Sequence, residues 1–209
     1  MIWWLKSRNA VVIVAATVLT ALLGIALRRT VLPLPVLTGI GGRFLLGALV
    51  AVVPAVLWLN GTGRTAAGVE AAALRPVHRW DTALAAVLAG TALVVSGSAY
   101  LLVDDDIALV VGRNITFYLA AAVLLGACVG PRVAGPCMSG MPIVVGVAGW
   151  NGRFPEPWAV ILHPGRSAAA LVATFVLMAV ACGVGAVGSR GWVPAAARRW
   201  GRSVVGGSR

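Results

Sequence analysis

Lysine is almost missing from this chain: among 209 residues there is one, Lys6. The G-x-x-x-x-G-K-[ST] loop that cradles a nucleoside triphosphate ends in a lysine and a hydroxyl residue, so no such loop exists here. ATP-driven work by this chain would require a separate subunit. Acids are scarce as well, six in all: Glu70, Asp81, Asp104, Asp105, Asp106 and Glu156. The three cysteines, Cys128, Cys137 and Cys182, lie in apolar stretches, where a cysteine usually serves as a small buried hydrophobe. The two histidines, His78 and His163, fall in connections expected on opposite sides, so neither a metal-ligand cluster nor a Ser-His-Asp set can be assembled. No cofactor is expected.

What the chain does have is apolar length. Hydrophobic residues make up 60% of it and charged residues only 11%, which leaves too little for a second, water-soluble core. A hydrocarbon layer of about 30 Å is crossed by a helix of about 20 apolar residues. Six stretches qualify: 9–27, 44–59, 82–103, 107–129, 133–149 and 167–188. The expected fold is therefore all-α, a single transmembrane domain over residues 1–209 with a basic tail at 189–209. The second stretch carries Pro54. The fifth carries Pro136 and Pro142 and is expected to be a kinked helix, since neighbouring helices can satisfy freed backbone groups. The apolar run of the first stretch is too long for a cleaved signal, so it is expected to stay as a helix.

Arginine placement sets the expected orientation. With the N-terminus inside, Lys6, Arg8, Arg64, Arg75, Arg79, Arg132, Arg190, Arg198, Arg199, Arg202 and Arg209 face the cytoplasm. Only Arg28, Arg29, Arg43, Arg113, Arg153 and Arg166 fall outside, a bias of eleven to six among the 17 basic residues. Both termini are thus expected in the cytoplasm. The eight tryptophans sit at or near the ends of these stretches, as amphipathic rings do at a membrane boundary. The net charge of +11 is spread over short loops and the tail, where anionic lipids attract it, and not over a patch with stacking aromatics. Anionic lipids are expected partners; nucleic acid is not.

Two polar features invite a functional reading. The first is the cluster Asp104, Asp105, Asp106, followed by Arg113 and Asn114. Ionisable groups near a span either line a path for substrate or ions, or the acids cap an outer loop with Arg113 snorkelling back to pair with them. The second is the connection Gly61–Asp81, the longest one expected inside. Its centre, Ala66–Leu74, is made of helix formers, and Pro76 ends that helix before the third span. Glu70, Arg75, His78 and Arg79 are its candidate docking residues. Small-residue spacings such as Gly126-Ala-Cys-Val-Gly130, Ser96-Gly97-Ser98 and Gly183/Gly185/Gly188 offer faces for close helix packing.

Together, six spans, inward termini, a long inner connection after the second span and no ATP site resemble the permease subunits of type-2 ABC exporters. Trp3-Trp4-Leu5-Lys6-Ser7-Arg8-Asn9, Arg75-Pro76-Val77-His78-Arg79-Trp80-Asp81, Gly112-Arg113-Asn114 and Pro157-Trp158…His163-Pro164-Gly165 are similar to stretches of small permease-like membrane proteins of streptomycetes and other actinobacteria. The resemblance implies a location in the bacterial plasma membrane and a homo- or hetero-dimer of permeases. It also implies a separate ABC ATPase subunit that touches the loop after the second span. One departure stands out: type-2 permeases begin with a longer amphipathic helix than the eight residues that precede the first span here. Two other readings remain beside it: an integral membrane enzyme of lipid or terpenoid metabolism using Asp104–Asp106, and an accessory structural membrane protein.

Overall fold

The computed structural model describes residues 2–27, 30–34, 42–64, 77–151 and 154–187. The expected helix at 66–74, the docking candidates Glu70 and Arg75, and the basic tail at 189–209 lie outside the described residues.

Helices dominate because an apolar chain satisfies its backbone polar groups most completely within itself. In chain order they are α1 (Ile2–Ser7), α2 (Ala10–Ala26), α3 (Leu46–Val50), α4 (Val53–Gly63), α5 (Val77–Val103), α6 (Asp106–Val129), α7 (Pro131–Ala148) and α8 (Ala168–Val187). Among the described residues four segments are long and apolar enough to cross a membrane: Leu46–Gly63, His78–Val103, Asp106–Val129 and Ala168–Val187. The helix Ala10–Ala26 is apolar but shorter. In α7 the glycines, Arg132 and the internal Pro136 and Pro142 dilute the apolar character. Hydroxyls inside these helices are satisfied locally: Thr17, Thr82, Thr116 and Thr174 each donate to the carbonyl four residues earlier.

Several expected boundaries move. The second span begins at Leu46, not Phe44, because Gly42–Leu45 forms strand β2 and pairs antiparallel with β1 (Val31–Leu34). It also runs on to Gly63, with Pro54 accommodated in the first turn of α4, where no intrahelical N–H bond is lost. The third span begins five residues before Thr82, at Val77, because its polar first turns find partners inside the fold. A second antiparallel pair joins β3 (Trp150–Asn151) to β4 (Phe154–Pro155). Among the described residues the fold is thus helical with two short antiparallel strand pairs and not purely α, since extended segments satisfy their backbone by pairing.

Helix α6 is the axis of the bundle. Of its most apolar window 72% is buried, against 22% for the windows of α5 and α8. On the outside, Val11, Val94, Leu101 and Leu102 are each about two-thirds exposed or more, the last at 85%. Cys128 and Cys137, expected in the interior, also lie on this outer surface.

Small residues act where helices cross, though not where spacing alone suggests. Gly130 has φ +85° and breaks the chain between α6 and α7, so Gly126 and Gly130 do not form one packing face. The close crossings are elsewhere. A Cβ on Gly112 of α6 would lie 2.7 Å from the Ser96 Cβ of α5, and one on Gly185 of α8 would strike the Thr82 hydroxyl. A Cβ on Gly183 would meet nothing. Gly185→Val should therefore lower stability by roughly 1–3 kcal/mol, with Gly183→Val close to neutral. Equal unfolding midpoints for both variants in detergent would disprove the α5–α8 crossing.

Candidate functional site

Two buried arginines organise the two ends of the bundle. The first, Arg8, is only 2% exposed. It sits between α1 and α2, beside Asn9, whose positive φ of 50° turns the chain sharply; asparagine tolerates that region better than most residues. The turn brings the Arg8 guanidinium against the last turn of α4 and the first turns of α5. Nη1 donates to the carbonyls of Gly61 (3.0 Å) and Thr62 (2.9 Å), and Nη2 donates to Asp81 Oδ2 at 2.8 Å. The backbone carbonyl of Asp81 accepts from Trp58 Nε1 at 3.0 Å. Trp4 and Trp80 pack beside this centre with ring centroids 6.2 Å apart. A cation on the final carbonyls of α4 also complements the negative end of that helix.

The second, Arg113, is 1% exposed and lies in α6. It does not pair with the aspartates, as the snorkelling reading expected. Nη1 donates to the Pro164 carbonyl (2.8 Å) and Nη2 to that of His163 (2.7 Å), while Nε and Nη2 reach Asn114 Oδ1 at 3.3 Å. Asn114 Nδ2 donates in turn to the Ile161 carbonyl at 3.1 Å. Residues 154–166 of the expected outer loop are thereby tied to α6, with Val160–Leu162 as one 3₁₀ turn and Ala159 and Ile161 buried. Three neutral oxygens, those of His163, Pro164 and the Asn114 side chain, hold the guanidinium more cheaply than a buried carboxylate would, because no second charge loses its water.

The three aspartates serve the turn between α5 and α6. Asp104 has φ +49° and donates its N–H to the Tyr100 carbonyl, closing α5. Asp105 caps α6, its Oδ1 accepting from the Ile107 N–H at 3.0 Å. Asp106 stands in the first turn and binds exposed Arg166 at 2.8 Å. Hydrogen bonding to Asp106, and then its charge, hold the Arg166 guanidinium above its ordinary pKa.

The docking candidates divide. His78 and Arg79 belong to the first turn of α5 and not to a loop; Arg79 Nε donates to the Ala186 carbonyl of α8 at 3.3 Å. His78 lines a groove of about 570 Å³ where the ends of α4, α5, α6 and α8 meet. Its walls are apolar, among them Leu59, Val123, Val180 and Val184, and its polar atoms come from Thr62, His78, Asp81 and Thr82. Among the described residues no lysine or arginine lines it, and the one carboxylate there is engaged by Arg8. Such a cleft suits a molecule with an apolar body and a small polar end. It offers no activated nucleophile, and among the described residues no three His, Cys, Asp or Glu side chains come together.

Arg8 and Asp81 are the pair that sequence reading missed. Arg8 counted only as an inward-facing charge and Asp81 as the end of a loop. Their signal was rarity: each is an ionisable residue directly beside an apolar stretch, where such residues usually have a partner. No protein-family model, curated protein or solved structure matches the chain.

Proposed function

We propose that the chain is a multi-pass protein of the bacterial plasma membrane that crosses six times with both termini in the cytoplasm. On this reading it is the transmembrane subunit of an ABC-type exporter, working with a separate ATPase subunit as one of a pair of permeases. Its cargo is a small molecule with an apolar body. The groove beside Asp81 carries the reading. It is mostly apolar, large enough for such a cargo and, among the described residues, free of cationic side chains. It also opens at the end of the bundle where α4 stops and α5 starts, on either side of the long connection. A push on that connection would move the start of α5, and with it the wall that holds His78, Asp81 and Thr82, as a rigid-body shift. The enzyme reading is weaker, because the Asp105 carboxylate already caps α6 and that of Asp106 already binds Arg166.

Two measurements test it together. In a variant with the three cysteines replaced, Asn151→Cys should react with an impermeant thiol reagent on intact cells, and Ser208→Cys only after permeabilisation. The chain isolated from native membranes with its bound partners should hydrolyse ATP, and the chain stripped of them should not. The reverse labelling pattern overturns the orientation. ATP turnover by the stripped chain, or none in the complex, overturns the exporter assignment.

A further inference from the structure

Arg8, which binds Asp81 of the groove, also lines a second cavity of about 340 Å³, with Arg64, Arg132, Asn9 and Asn60 and the apolar Val12 and Leu57. Arg64 is the C-cap of α4 and Arg132 lies in the first turn of α7. These helix ends abut, since a Cβ on Gly63 would sit 3.7 Å from Pro131 and 3.8 Å from Arg132. Both arginines are exposed, and among the described residues no carboxylate lines the cavity. The C-terminal end of α4 would normally bring negative carbonyls here, but Arg8 takes those of Gly61 and Thr62. Helix α7 starts in the same place with Pro131 and without a side-chain cap, so its positive end adds to the field. Positive charge at the mouth thus sits above an apolar wall.

We propose that this cavity binds the phosphate of an anionic phospholipid, with Arg64 and Arg132 on the phosphate, Asn9 and Asn60 on the headgroup, and an acyl chain along Val12 and Leu57. The shared chemistry is a phosphate group; the apolar wall is what selects a lipid over a free phosphate. The site rests on the membrane-spanning reading above and is independent of ATP coupling and of which terminus faces in.

The test uses the purified full chain in detergent micelles carrying equal phosphatidylglycerol and phosphatidylcholine, with retained lipid counted by native mass spectrometry. Wild type should retain phosphatidylglycerol preferentially. Arg64→Gln with Arg132→Gln should reduce that preference about thirtyfold, in line with the attraction that two basic residues add at a membrane surface. Arg166→Gln, at the opposite end of the bundle, should leave it unchanged. Thermal unfolding of the double variant serves as the fold control, and both replaced side chains are on the surface. Equal retention of the two lipids by wild type, or undiminished preference in the double variant, overturns the site. Displacement of phosphatidylglycerol by millimolar inorganic phosphate overturns the lipid assignment in favour of a free phosphate.

Discussion

Replacing Arg113 with methionine should loosen the 154–166 segment and destabilise the protein more than any single change to Asp104, Asp105 or Asp106. The methionine keeps most of the apolar stem but removes charge-assisted donors to the carbonyls of His163 and Pro164. Bonds of this kind contribute about 1.5–3 kcal/mol each, so the expected loss is roughly 3–6 kcal/mol. The readouts are a lower unfolding midpoint in detergent and new protease cleavage between Phe154 and Arg166. Asp105→Ala, which removes a helix cap, should cost only about 1 kcal/mol. A charge exchange separates the two views of this end. Asp106→Arg with Arg113→Asp should bring no recovery, because these side chains do not meet, whereas Asp106→Arg with Arg166→Asp should keep its pair. Recovery in the first exchange would mean that Arg113 answers to the aspartates after all.

A comparable loss is expected at the other end when Arg8 and Asp81 are separated. The pair is buried, 2% and 10% exposed at the side chains, and its partners come from segments 73 residues apart. Removing one member of a buried pair leaves the other charged and dry, at about 3–5 kcal/mol. Asp81→Asn and Arg8→Met should each show this. Arg8→Met with Asp81→Leu should recover much of the loss, because no lone charge remains. Recovery should stay incomplete, since the Gly61 and Thr62 carbonyls lose their donor in either case. Strictly additive losses in this double-mutant cycle would show that the two residues act independently. Because Asp81 also lines the groove, the double variant separates stability from cargo handling. If the groove is the transport path, export should stay impaired when the fold is restored.

The apolar runs already told where most helices would lie. A run such as Ile107–Val129 has few places to put its backbone polar groups except within a helix, and α6 starts one residue earlier and ends at Val129. The same logic located Ala168–Val187 to within a residue at either end. Boundaries slipped where polar residues gained distant partners: α5 reaches back to Val77 because Arg79 finds α8 and Asp81 finds Arg8. The abundance of small residues promised close crossings, yet which glycines make them depended on the rotation of each helix. Gly112 and Gly185 therefore matter where Gly183 does not. What each buried charge binds belonged wholly to the three-dimensional arrangement. Arg113 lies seven residues from Asp106 in sequence but answers to carbonyls 50 and 51 residues away. A guanidinium inside an apolar bundle goes to whatever acceptors the folded chain brings within about 3 Å, and hydropathy carries no record of where those acceptors will be.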